Sequence, residues 1–334
     1  MQNVPPLPNE HVLGHLVRVA GANAVKNLKA LFRSTRSDDE NEDIHPLHWK
    51  HRYYGPLRYG NTTSLEEYRK HHTLTLFLTK PTQATQLANL GGFLSDAFVR
   101  HHIPLGYSAE ECISRIAWRF CSQCRDVARN KFGIGYWHRV HQVPGMDICP
   151  YHGVVLTRCK IQAMFDDPTL SDAESFGTGG PDENLVTANM TPALHRYRTV
   201  IKEVLDHPLP EVRLRRAVLS LLRSSRMRTE EDRRTIQMPR LAAVVSRREI
   251  PDVWLLEHIP RVRVWFNQHS HHAEPYWREE FIKTCHHSTS KAGSDLWTLG
   301  LELLMVCLTI RNVAEIKDAI WPGVGRRRVA RRLR

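Results

Sequence analysis

Four residues near the middle of this 334-residue chain have the types and spacing of a metal site. Cys121 and Cys124 are separated by two residues, and so are Cys149 and His152. That interval lets both side chains of a turn point into one tetrahedron, and thiolate and imidazole are donors that zinc takes. Residues 125–148, between the pairs, suffice for a small ribbon or loop to fold back and close a Cys3His set. Four protein donors leave no coordination position for a substrate or a water, so the expected cofactor is one structural Zn2+ ion. His138 and His141 lie in the same segment and compete for the ligand role on spacing alone; both are expected beside the site or at the surface. Cys159 has no partner at this interval and reads as a packed thiol.

A small metal site needs elements to position it. Trp118 and Phe120 precede the first pair, and Tyr136, Trp137, Val143 and Pro144 supply the rest of a mini-core. Towards the amino terminus, Asn9 is placed to cap a helix carrying Val12, Leu13, Leu16, Val17 and Ala20 on one face, with Gly21 as its break. Val25, Leu28, Leu31 and Phe32 repeat the pattern. Two short helices meeting at a glycine fit a helix-turn-helix reader or an ordinary helical hairpin. Residues 46–59 mix Trp49, Tyr53 and Tyr54 with basic side chains, as either a phosphate-facing loop or a packed one would. Residues 83–101 read as helix interrupted at Gly91 and Gly92, and Ser108 with Glu111 reads as a capping box.

Beyond Asp166 the composition turns polar and glycine-containing, which marks a linker over residues 166–186. A helical pattern follows. Thr191 and Pro192 open a helix whose stripe is Leu194, Tyr197, Val200, Ile201, Val204 and Leu205. Pro210 and Glu211 open another, with Leu214, Val218, Leu221 and Leu222 inside and Arg213, Arg216 and Arg223 outside. Residues 240–245 and 250–259, broken at Ser246, fit a second helix-turn-helix or a helical domain with an arginine-rich solvated face. The apolar run 296–310 is too short to span a bilayer and contains Glu302, so a buried helix, capped at Ser294 and Asp295, is expected. The fold class is therefore mainly α: helix-turn-helix-like helical domains flanking a small Cys3His zinc ribbon or knuckle. The expected organisation is an amino-terminal helical part (1–110), a zinc module (111–165), the linker (166–186), a basic helical domain (187–310) and a basic tail (311–334).

The net charge of +12 favours a polyanionic partner, nucleic acid before membrane. Residues 211–263 hold 13 Lys and Arg against 7 Asp and Glu, and the tail adds Arg326, Arg327 and Arg328. Seven cysteines without regular pairing argue against a secreted disulfide framework. The first residues contain no apolar stretch of the kind a signal peptide needs.

The metal segment also resembles a known family. Trp118 to Leu156 carries Cys-x2-Cys, a Tyr136-Trp137-x-Arg139 element, Val143-Pro144, and Cys149-Pro150-x-His152-Gly153-x2-Leu156. It is similar to the signature of the TniQ/TnsD family of transposon target-selection proteins. Pro8-x-Glu10-x2-Leu13-x4-Arg18-x-Ala20 resembles that family's first helix, and His72-Thr73-Leu74 a further element; the likeness covers residues 5–160. His141 departs from it, standing where the family often has tryptophan, and no second zinc knuckle follows Cys159.

The resemblance implies a non-enzymatic bacterial protein of the cytoplasm and nucleoid. It would bind double-stranded target DNA and recruit an AAA+ ATPase transposition regulator (TnsC-like), with no membrane partner. Arg213, Arg216, Arg240, Arg247 and Arg248, with Arg326, Arg327 and Arg328, are the candidate DNA contacts. The alternative is an adaptor that links a CRISPR RNA-guided effector complex to the transposition machinery. A remote third reading is a metal-dependent nuclease built on His269, His271, His286, Glu279 and Glu280, which lack a regular ligand spacing.

Overall fold

The computed structural model describes residues 2, 4–25, 65–72, 118–143, 145–159, 163–172, 191–224, 240–259, 262, 266–267, 276–287 and 298–322. They are mainly helical, as expected, and the chain divides into two compact units, residues 1–186 and 187–334.

The first unit begins with helix α1 (Val12–Ala22). Val12, Leu16, Val19 and Ala20 form its buried face, while Val17 is only half-buried. Two expectations for this helix are corrected. Asn9 does not cap it: Asn9 lies in the left-handed region at φ 58°, a conformation Asn tolerates, three positions before the first helical residue, Val12. Gly21 does not break it either. The helix runs through Gly21 to Ala22 and ends where the Asn23 side chain donates to the Val19 carbonyl at 2.9 Å. Helix α2 (Leu65–His72) presents Tyr68 and His72 inward. Strand β1 (Trp118–Phe120) pairs antiparallel with β2 (Thr157–Cys159), matching Trp118 with Cys159 and Phe120 with Thr157. Between them lie helix α3 (Ser122–Phe132) and a 3-10 turn (Arg139–Gln142). The short helix α4 (Ala163–Asp166) packs on α1. The second amino-terminal helix, residues 46–59, 83–101 and the Ser108 capping box lie outside the described residues.

The second unit is built around one apolar helix. Helices α5 (Pro192–Asp206), α6 (Glu211–Ser224), α7 (Arg240–Val245), α8 (Asp252–His258), α9 (Trp277–His287), α10 (Thr298–Thr309) and α11 (Val313–Ile320) follow in order. Residues 299–307 of α10 are all buried, and α5, α6 and α7 pack against it. The expected buried helix is there, although Ser294 and Asp295 lie outside the described residues. Its one charged side chain, Glu302, meets the buried Arg215 of α6 at 3.9 Å. The expected stripe of α5 is wholly buried, from Leu194 to Leu205. Thr191 occupies the cap position before Pro192, but its hydroxyl makes no capping bond. Among the described residues no helix is long and apolar enough to cross a membrane.

Candidate metal centre

The two ligand pairs are presented by two different local structures. Cys121 ends the β1 run as the N-cap of α3; its Sγ accepts the Cys124 backbone N–H at 3.5 Å, and its carbonyl accepts from Arg125 at 3.0 Å. The turn that opens the helix therefore sets both thiols on one side. The second pair sits at the tip of a narrow loop. Ile148 bridges Val155, the Cys149 N–H donates to the Val154 carbonyl at 2.7 Å, and the Gly153 N–H returns to the Cys149 carbonyl at 2.8 Å. Gly153 closes this knuckle at φ +70°, where a side chain would be strained.

The structure brings all four expected side chains together. Their donor atoms lie within 4.8 Å of one another, and the three cysteines are buried. His152 Nδ1 stands 3.5 Å from Cys121 Sγ, 3.2 Å from Cys124 Sγ and 3.6 Å from Cys149 Sγ, while Cys124 and Cys149 Sγ are 3.6 Å apart. A tetrahedral ion about 2.3 Å from sulfur and about 2.0 Å from nitrogen requires S···S edges of about 3.8 Å and S···N edges of about 3.5 Å. These four distances fit that tetrahedron to within a few tenths of an ångström and the other two edges stay within 4.8 Å, so the cluster can hold one metal ion. Without a cation three thiols this close do not ionise together. Hydrogen bonding from Cys124 and Cys149 lowers the Cys121 pKa, and the same bonding to Cys121 pushes Cys149 up to about 11 and Cys124 higher still. A bound cation removes that conflict by neutralising the thiolates.

His138 and His141 fall beside the cluster. His138 stacks on Tyr136 with ring centroids 4.4 Å apart. His141 is fully buried, and burial holds its imidazole neutral. Its Nε2 faces Cys124 and Cys149 at 3.8 and 3.6 Å. Cys159 is buried and in no disulfide.

The cradle is aromatic and hydrogen-bonded in equal measure. Trp118 and Phe120 meet Trp137 edge-on, with centroids 6.0 and 6.1 Å apart, as the expected mini-core requires. The Trp137 indole N–H donates to the Asp167 carbonyl at 3.1 Å. The Asp167 carboxylate in turn takes N–H bonds from Ser171 and Asp172 at 2.9 and 2.7 Å. Burial pushes its pKa up, but these bonds outweigh it and hold the carboxyl below its ordinary value. Residues 166–172, the first part of the expected linker, are thus folded onto the metal module, and residues 173–186 lie outside the described residues. Gly135 is needed for this fit: a Cβ there would come within 2.8 Å of Arg125 Cγ and 2.9 Å of the Thr169 carbonyl oxygen. On the opposite side the Gln142 amide clamps β1, accepting from the Arg119 N–H at 3.0 Å and donating to its carbonyl at 2.7 Å.

The amino-terminal segment is stitched to the same module. Glu10 bridges His138, the His11 N–H donates to the Trp137 carbonyl at 2.7 Å, and the Tyr136 hydroxyl donates to the Pro8 carbonyl at 2.8 Å. Arg139 donates from its backbone to the Asn9 carbonyl at 2.9 Å and from its guanidinium to the Lys70 carbonyl. Arg18 grips the buried Glu10 carboxylate with two N–H bonds of 2.7 and 2.6 Å, and Leu7 N–H adds a third at 2.9 Å. His15 joins Tyr68 and the Val4 carbonyl, both at 2.7 Å, and His72 donates to the Glu10 carbonyl at 3.0 Å. The glutamate and arginine of the first-helix pattern are therefore a buried clamp.

Residues 2–156, which include the four cluster residues and the amino-terminal clamp, match the family model TniQ. This segment is a TniQ domain. A search of curated proteins found no match to the chain. The match ends at residue 156, so the helical second unit lies beyond the TniQ domain.

The other expected site residues are scattered over that unit. Arg213 and Arg216 are exposed on α6. Arg247 is half-buried, and Arg248 is 73% exposed and paired with Glu279 at 2.5 Å. Arg240 begins α7, but its side chain is outside the described set, as are Arg326, Arg327 and Arg328. His269, His271 and the side chain of His286 also lie outside it, and Glu279 and Glu280 pair with Arg248 and Lys283. Sequence reasoning missed Arg278. This buried side chain pairs with Asp252 and donates to the carbonyls of Val245 and Arg247 at 2.9 Å and of Ile250 at 2.6 Å, pinning the turn between α7 and α8. Only its place in an amphipathic helix could have hinted at this, since arginine is ordinarily read as a surface residue.

Proposed function

We propose that this protein selects target sites for DNA transposition, binding double-stranded target DNA and delivering the site to an AAA+ ATPase transposition regulator (TnsC-like). The TniQ match over residues 2–156 carries this reading. Cys121, Cys124, Cys149 and His152 hold one Zn2+ ion. Four protein donors in a buried cluster leave no open position for chemistry, so the ion staples the fold and no catalytic step is assigned to it.

DNA contact falls to the basic second unit. Arg213 and Arg216 lie three positions apart on one helix, close enough to address neighbouring phosphates from one face. Arg247 and Arg248 sit in the turn between α7 and α8, and Arg240, Arg326, Arg327 and Arg328 add charge near the same polyanion. Such contacts supply affinity and salt dependence, while base contacts supply specificity.

The test is recovery of genomic duplex fragments by the zinc-loaded protein at two salt concentrations, followed by sequencing. Enrichment of one site that survives the higher salt establishes an attachment-site reader. Weak, uniform recovery that vanishes with salt overturns it. A second reading, an adaptor for a CRISPR RNA-guided effector complex, is favoured by the Arg248–Glu279 pair, which occupies an expected phosphate contact with the protein's own carboxylate. Stable co-purification with such an effector, combined with sequence-blind DNA binding, would select it.

A further inference from the structure

A fifth side chain approaches the metal cluster without belonging to its tetrahedron. His141, in the 3-10 turn, is wholly buried, and its Nε2 lies 3.8 Å from Cys124 Sγ and 3.6 Å from Cys149 Sγ. Its Nδ1 is also buried and has no hydrogen-bond partner among the described residues. A neutral imidazole carries one N–H and one bare nitrogen. An N–H buried without an acceptor is rarer and costlier than an unmatched lone pair, so the proton belongs on Nε2, where sulfur acceptors stand, and the lone pair on Nδ1. A protonated nitrogen has no lone pair for a metal.

The ligand geometry leads to the same assignment. Nδ1 of His152 touches all three sulfurs, at 3.2 to 3.6 Å, and so occupies the fourth vertex. Nε2 of His141 faces only the edge between Cys124 and Cys149. Three thiolates around a divalent ion leave one net negative charge in a buried site, and an N–H aimed at two of the sulfurs is the group that stabilises it. We propose that His141 is a positioning residue of the metal centre, donating its Nε2 proton across the Cys124–Cys149 edge to the two thiolates. This rests on reading the cluster as a metal site.

The test uses the full chain loaded with Co2+, whose d–d and sulfur-to-metal bands distinguish an S3N set from other ligand sets, and chelator competition for the Zn2+ affinity. His141→Phe keeps the S3N spectrum but weakens Zn2+ binding by about tenfold or more, the range for lost outer-shell partners. His141→Gln, whose amide can restore an N–H, recovers most of that loss. His152→Ala, in contrast, loses the nitrogen ligand. Unaltered affinity in His141→Phe overturns the proposal, and so does loss of the nitrogen ligand in His141→Phe with its retention in His152→Ala. If His141→Phe does not fold, imidazole 15N–1H spectra of the wild-type zinc protein decide. A proton on His141 Nε2 supports the proposal, and one on Nδ1 overturns it. Failure of the wild-type chain to take up Co2+ removes the metal site itself and this role with it. Normal wild-type uptake with an indifferent His141→Phe removes only the role of His141.

Discussion

The two units hold their chain in opposite ways. In the second, the apolar helix α10 is wrapped by α5, α6 and α7, and its single charged side chain is answered by Arg215. Hydrophobic burial along regular helices does most of the work there. In the first, the strands are three residues long, and loops carry much of the buried structure. Its order comes from side chains that tie one loop to another: Glu10 with Arg18, Gln142 with Arg119, Trp137 with Asp167, and the Cys3His cluster at the centre. Irregular backbone leaves many polar groups without ladder partners, and each must be satisfied individually. A helical core tolerates the loss of one contact, whereas a hydrogen-bonded cradle depends on each tie and on the ion that closes it.

Metal removal should separate the units most sharply. Structural zinc in small modules contributes about 10 kcal/mol or more of folding free energy. The variant Cys124→Ser/Cys149→Ser, or chelation, is therefore expected to abolish a metal-dependent thermal transition belonging to the first unit. A second transition from the helical unit should persist. A single transition that is equally sensitive to chelator would break the comparison.

Next in size are single truncations. Trp137→Ala removes a fully buried indole and should destabilise the first unit by about 3–5 kcal/mol. Glu302→Ala, which removes the carboxylate facing the buried Arg215 in the second unit, is expected to cost less, about 1–3 kcal/mol there. Scanning calorimetry of the two variants should show different transitions moving.

Acid provides a milder probe. Burial pushes the pKa of His11 down to about 3, of His15 to about 4 and of His72 to about 3. In the unfolded chain these groups titrate near 6.5, so below that pH the unfolded state binds more protons. Their contribution to stability is full above about pH 6.5 and is lost progressively as pH falls towards about 3. The melting temperature of the first unit should drop over that window, with a shallower slope in His11→Phe.

The smallest expected effect on stability is at the surface. Arg213→Glu/Arg216→Glu alters two exposed residues and should shift either transition by no more than about 0.5 kcal/mol. The same variant should weaken DNA binding and flatten its salt dependence by about 0.9 per lost phosphate contact. An unchanged slope would move the DNA interface away from α6.

The sequence alone determined whatever depends on short intervals. The two-residue gaps of Cys121/Cys124 and Cys149/His152, the stripe of α5 and the apolar run of α10 were legible because a turn or a helix converts spacing directly into direction. The tertiary structure decided what depends on residues distant in the chain. The two-residue interval ranked His152 above His141, but only the tertiary structure set His141 against the edge between Cys124 and Cys149. Neither Asn9 nor Gly21 behaved as its local preference indicated, because Arg139 holds the Asn9 carbonyl and Asn23 closes the helix beyond Gly21. The burial of Arg278 and Arg139 was invisible for the same reason. A guanidinium goes inside only where several carbonyls or a carboxylate converge on it, and that convergence is made by segments far apart in sequence.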